Sequence, residues 1–261
     1  MASYLVPPND HSTYQHAKLA PSVAPRMAAM NGNGVHAKEN PTVLPLSVLK
    51  QFQFAFLIRN PRKAVPSYYR CCIPPLNDMT GFKYFMPNEA GYRELRALFD
   101  YLLEEGVIEH PLKGNMGSAT NDANGNAHAN GARETNGAKQ TNGSAGTKYR
   151  ACVIDADDLL DHPKEIVQRF CEMVGLDFDE SMLEWNANKG CESFDKWKGF
   201  HEDAIGSSGL RPRTVKKTQG PAEEREGWVQ KYGEEGARVI EKTAQENMED
   251  YEYLKQFKVT I

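Results

Sequence analysis

Four side chains in a nine-residue stretch carry chemistry: Arg59, Arg62 and Lys63 are cationic, and Ser67 supplies a hydroxyl. They follow an apolar run, Phe52, Phe54, Phe56, Leu57 and Ile58, whose density predicts a strand over 52–58 buried on both faces. Asn60-Pro61 comes next. Asn is a preferred helix N-cap and Pro suits the first helical position, so a helix is expected to begin directly after Arg59. Free N–H groups at that helix start, the helix dipole and the cations Arg59, Arg62 and Lys63 would together form an anion site. Ser67 stands eight residues beyond Arg59, about two turns into the helix, where its hydroxyl adds a donor if it faces the same side. A phosphate group is the natural occupant. The competing reading pairs Arg59 with an internal carboxylate and leaves Arg62 and Lys63 as solvated surface charges.

The elements that must position these groups are readable on either side. Pro45 opens a short helix that turns Leu46 and Leu49 inward. Tyr92, Leu95, Phe99 and Leu102 fall at helical spacing within 89–105, with Gly106 as the stop. Ala151–Asp155 reads as a second buried strand. The helix after it has Pro163 in its first turn, Ile166, Val167, Phe170, Cys171 and Val174 inward, and Gly175 at its end. Residues 222–254 are charged and helix-prone, with Trp228, Tyr232, Val239, Ile240, Tyr251, Tyr253 and Leu254 as apolar anchors. Strands alternating with helices predict the α/β class, a parallel sheet with flanking helices.

Between these segments lies Gly114–Thr147, where Gly, Asn and Ala supply 21 of 34 residues and Leu, Ile, Val, Phe, Tyr and Trp are absent. Asn-Gly recurs every six residues from Asn124 to Asn142. With no apolar residue for each rung, the repeat does not suit a β-helix, and a disordered insertion is expected. Residues 27–41 have a similar composition and are expected to form a shorter flexible loop.

A net charge of −4 and a pI near 6.0 argue against a general nucleic-acid binder, so any basic cluster is local. The five cysteines, Cys71, Cys72, Cys152, Cys171 and Cys191, lack C-x-x-C spacing, which indicates neither a disulfide framework nor a zinc ribbon. No apolar stretch is long enough to span a membrane, and the N-terminus lacks the pattern of a signal peptide. The expectation is a cytoplasmic protein with reduced thiols and no metal; the oligomeric state stays open.

"FLIRNPRKAVPSYYR" (56–70) resembles the 3′-phosphate-binding segment of PAPS-dependent sulfotransferases, members of the P-loop NTPase superfamily. The resemblance continues through "VIDADDLLDHPKEIVQRFCEMVGLDFDESMLEW" (153–185) and "FDKWKGFHEDAIGSSGLRPR" (194–213), the latter similar to fungal sulfotransferase-like proteins. It implies one sulfotransferase-like α/β domain over 42–113 and 148–257, with 3′-phosphoadenosine 5′-phosphosulfate as cofactor and a small-molecule hydroxyl as acceptor, in fungal secondary metabolism. It also implies that Arg59 and Ser67 hold the 3′-phosphate, with Arg62 beside them and Arg211 as a later basic contact. Arg211 and Arg213 equally suit a solvated basic turn with Lys216 and Lys217.

The family's Gly- or Ser-rich loop for the 5′-phosphosulfate has no counterpart in the 261 residues, since no Gly-Lys followed by Ser or Thr occurs. Residues 1–26 instead resemble an internal sulfotransferase segment, so the chain reads as N-terminally shortened, lacking the first strand and the P-loop. Two functions follow from this: a sulfotransferase if an intact phosphosulfate loop is supplied, or a non-sulfonating or degenerate family member that acts as an accessory or binding protein or uses the cavity for other small-molecule chemistry. No catalytic base is assigned. His201 and His162 are candidates, and each equally fits a structural role. The aromatic group Tyr68, Tyr69, Tyr84 and Phe85 suits either core or a substrate cavity.

Overall fold

A computed structural model describes residues 39–110, 149–186, 199–214 and 219–261. The expectations for residues 1–26, for 114–147 and for all but the end of the 27–41 loop lie outside the described residues, as does Cys191.

Two short parallel ladders carry the strand pairing. β1 (Ala55–Ile58) runs beside β4 (Cys152–Asp155), in register from Ala55 opposite Cys152 to Ile58 opposite Asp155. β2 (Ile108–Glu109) pairs with β3 (Tyr149–Arg150). On its other side β4 meets the C-terminal segment through a bridge of Val153 to Lys258, where the Val259 N–H donates to the Val153 carbonyl at 2.7 Å. Parallel strands need a crossover connection. Between β1 and its parallel partner β4 it includes α2 (Pro61–Cys71), α3 (Leu76–Thr80) and α4 (Tyr92–Glu104), after α1 (Leu46–Leu49) has led into β1. The class is therefore α/β, with a small parallel sheet and flanking helices.

β1 is buried on one face only, which corrects the expectation for 52–58. Phe56 and Ile58 enter the core, while Leu57 is 62% exposed and Phe52 54%. Among the described residues β1 has a single strand neighbour, and only the face turned toward α4 is covered; there Phe56 meets Phe99 edge-on at 5.1 Å. The other predicted elements formed close to where their signals lie. Leu49 is buried in α1, and Tyr92, Phe99 and Leu102 line the inner face of α4. Full burial of a side chain such as Phe99 or Leu102 contributes about 1.5–3 kcal/mol relative to leaving it exposed.

β4 runs into α5 (Ala156–Asp161) and then α6 (Pro163–Val174), which ends at Gly175 with φ 74°. Only glycine enters that left-handed conformation without strain. Ile166 and Cys171 of α6 are buried, and Ile166 packs with Cys152 and Val259. α7 (Glu202–Ile205) is a single turn.

The C-terminal third is helical. α8 (Pro221–Glu246) is broken at Gly233, whose φ of 72° and ψ of 173° lie in a region essentially restricted to glycine. It packs along α2, where Val65 meets Trp228, Ala237, Ile240 and Ala244. A Cβ on Gly236 would sit 2.8 Å from the Tyr232 Cβ and 3.0 Å from the Tyr69 Oη, so glycine permits the close approach of the two helices. α9 (Met248–Lys255) buries Tyr251 and Leu254 against the sheet. Among the described residues no helix is long and apolar enough to cross a membrane, and no group of His, Cys, Asp and Glu is placed to hold a metal.

Candidate anion-binding site

The strand-to-helix junction formed as its residues dictate. The Asn60 Oδ1 accepts the Arg62 N–H at 2.9 Å, satisfying one of the free donors at the start of α2, and Pro61 is the first helical residue. The carbonyl of Arg59 accepts a 2.6 Å hydrogen bond from the Tyr92 hydroxyl, which ties the strand end to the beginning of α4. Burial pushes the Tyr92 phenol well above its ordinary range and the Arg59 guanidinium only partly offsets this, so Tyr92 stays a neutral donor.

Above this junction opens a cleft of about 560 Å³. Arg59, Ser67 and Arg70 line it from β1 and α2, and Trp228, Lys231 and Tyr232 line it from α8. The spacing of Arg59 and Ser67 thus brings both to one wall. Among the described residues three cations face the space, with Asp203 the one carboxylate bordering it. Among the described residues none of the three cations has an ion-pair partner. A smaller cleft of about 100 Å³ adjoins this one, sharing Arg70 and Asp203 and bounded also by Leu76, Gly199, Phe200 and Glu202.

The neighbouring basic residues are committed elsewhere. Arg62 pairs with Glu224, donates to the Pro221 carbonyl at 3.1 Å and lies 4.9 Å over the Trp228 ring, so it fastens α2 to the start of α8 and does not line the cleft. Lys63 contacts both oxygens of Asp157, at 2.7 and 2.8 Å. Arg213 holds the same Asp157 at 3.0 Å and Asp161 at 2.6 Å. Burial pushes the Asp157 carboxyl up, but Lys63 and Arg213 outweigh it and hold the group below its ordinary range. Asp155, beneath them, caps α5 by accepting the Asp157 N–H at 2.9 Å and also accepts the Tyr251 hydroxyl at 2.7 Å. Arg211 is 65% exposed, pairs with Glu184 at 3.3 Å and stands apart from the cleft wall.

His162 and His201 occupy the N-cap positions of α6 and α7, and neither borders the cleft. Tyr69 stacks on Phe85 and Tyr232, at 5.2 and 5.4 Å between ring centres, and Tyr68 gives its hydroxyl to Glu89, whereas Tyr84 is exposed. Tyr69 therefore packs the α2–α8 seam and backs the cleft wall through Tyr232, while Tyr68 packs against Phe82 and Phe85. Cys71, Cys72, Cys152 and Cys171 are free and buried, and burial pushes the thiols of Cys72 and Cys152 up to about 11, leaving them protonated and unreactive.

Arg70, Lys231, Tyr232 and Trp228 escape the sequence reading. Arg70 follows Ser67 by three residues, a spacing that shares a helix face, so its signal was present in the sequence. The other three come from a helix more than a hundred and fifty residues away, and no local pattern ties them to Arg59.

Comparisons with known proteins bear on this geometry. Residues 123–213 match the family model of the sulfotransferase domain. That span holds β4, α5, α6 and Arg213, and excludes Arg59, Ser67 and Lys231. The chain is also 23% identical to the sulfotransferase ppzF of Metarhizium majus over 97% of its own length, and it spans 66% of the length of that relative. No solved structure gives a significant match.

Proposed function

We propose, from the premise that this chain carries a sulfotransferase domain and is distantly homologous to a fungal sulfotransferase, that its cleft binds a 3′-phosphoadenosine nucleotide through Arg59 and Ser67. The reaction class is sulfuryl transfer to the hydroxyl of a small molecule. One observation carries the reading: Arg59 and Ser67 line a common cleft in which three cations lack carboxylate partners among the described residues. Like charges gathered around one cleft repel one another, and an anionic ligand relieves that repulsion. A volume of about 560 Å³ suits a small-molecule site, which typically spans about 300–1,000 Å³.

In this reading Arg59 gives a charge-assisted contact to the 3′-phosphate and Ser67 a hydroxyl donor. Tyr92 holds the Arg59 backbone, and Arg62 with Glu224 fixes α8 against α2, so the two walls keep their separation. When bound, 3′-phosphoadenosine 5′-phosphosulfate supplies the sulfuryl group. Contacts to its 3′-phosphate persist unchanged from ground state to transition state, so Arg59 and Ser67 contribute affinity and positioning and do not lower the chemical barrier.

The test is equilibrium binding of adenosine 3′,5′-bisphosphate and of adenosine 5′-monophosphate to the full chain, followed by incubation with the phosphosulfate donor and a panel of phenols and alcohols. Preference for the bisphosphate by about tenfold or more is expected. Equal binding of the two would reject the 3′-phosphate assignment. Binding without formation of the bisphosphate product would favour an accessory binding role over transfer.

A further inference from the structure

Arg59 and Ser67 account for only one wall of the cleft. The opposite wall carries Lys231 from α8, and Arg70 lies at the border of the larger and smaller clefts. Both are exposed, and among the described residues neither forms an ion pair with a carboxylate. Their neighbours behave differently: Arg62, Lys63 and Arg213 are each matched to acids. Arg70 stands close enough to Cys71 and Tyr232 to favour ionisation of both, which places its guanidinium on the α8 side of α2. Lys231 stands two residues before the break at Gly233, the last stretch of the first half of α8. There the chain's own dipole is negative, and a helix C-terminus alone would repel an anion. Lysine at that place reverses the local sign.

Taken together, the described residues of the two walls present Arg59, Arg70 and Lys231 against one carboxylate, that of Asp203. One arginine and one hydroxyl are enough to recognise a singly charged ester. A second and third cation on facing elements match a group that carries two negative charges and offers acceptor oxygens in several directions.

We propose that Arg70 and Lys231 are ligand contacts that make this cleft selective for a phosphate monoester dianion over a singly charged phosphodiester. The proposal rests on the assignment of the cleft as the phosphate site. It adds that α8, through Lys231, supplies part of the binding energy.

The probes are adenosine 3′-monophosphate, a monoester, adenosine 2′,3′-cyclic monophosphate, a singly charged diester of the same nucleoside, and inorganic pyrophosphate. They are titrated into the wild-type chain, Lys231→Met, Lys231→Arg and Arg70→Met. The wild type is expected to prefer the monoester by about tenfold or more, and Lys231→Met and Arg70→Met each to lose most of that preference while binding the cyclic diester nearly as the wild type does. Lys231→Arg restores the preference. Both positions are exposed, and circular dichroism is the check that the variants fold. If the wild type prefers the monoester and Lys231→Met and Arg70→Met keep that preference, the inference fails while the nucleotide reading stands. If pyrophosphate binds in a Lys231- and Arg70-dependent manner but neither nucleotide does, the nucleotide reading fails and the dianion site stands. Absence of binding by all three probes overturns both.

Discussion

The hydroxyl of Tyr92 donates to the main-chain carbonyl of Arg59 at 2.6 Å. A residue at the start of α4 therefore sets the backbone from which the guanidinium of Arg59 reaches the cleft. Tyr92→Phe removes this bond and leaves the ring in place. The expected cost is about 1 kcal/mol of stability, with a severalfold loss of bisphosphate affinity. Urea unfolding and calorimetry on the same preparation check it; unchanged affinity would show that the bond serves the fold alone.

Two glycines of α8 should respond in opposite senses to the same substitution. Gly233 holds φ 72° and ψ 173°, so Gly233→Ala is expected to cost about 1–3 kcal/mol although a Cβ there meets no neighbour within 4 Å. Gly227 lies in the regular first half of α8 and likewise has open space around a Cβ. Gly227→Ala should stabilise the protein by about 0.5–1 kcal/mol. Denaturant midpoints of the two variants decide the matter.

Asp157 gives a dependence on pH. Lys63 and Arg213 hold its carboxyl below the ordinary value of 3.8, against the opposing push of burial. A carboxyl lowered in the folded state stabilises the fold above its unfolded value and ceases to do so as pH falls through the folded one. The stability difference between the wild type and Asp157→Asn should thus be complete at neutral pH, begin to shrink below about pH 4 and be nearly gone once the folded carboxylate is protonated. A difference that persists undiminished at pH 2 would mean that Asp157 acts through packing.

How much of this was legible in the sequence depends on the range of the interactions. The junction at Asn60 and Pro61, the inner faces of α4 and α6 and the stop at Gly175 were readable because each depends on residues within a turn or two. Arg59 and Ser67 came together for the same reason, since two helical turns separate them. β1 was misread because Leu57 and Phe52 add apolar weight to faces that no described element covers, and the composition of a short run does not tell one buried face from two. Arg62 passed for a cleft residue because its acid, Glu224, lies in α8. Lys231 and Tyr232 belong to the cleft only through the packing of α8 on α2, which depends on the size of Gly236 and on the break at Gly233, and neither has a pattern in the neighbouring sequence.

The account stands most directly on Arg59. Calorimetric titration of adenosine 3′,5′-bisphosphate into the wild type, Arg59→Ala and Ser67→Ala measures its contribution. A charge-assisted contact is worth about 1.5–3 kcal/mol and a neutral hydroxyl about 1, so Arg59→Ala should weaken binding by roughly 10- to 150-fold and Ser67→Ala by about fivefold. A wild type that fails to bind at millimolar ligand, or an Arg59→Ala variant that binds as tightly as the wild type, would contradict the assignment of this cleft as the phosphate site.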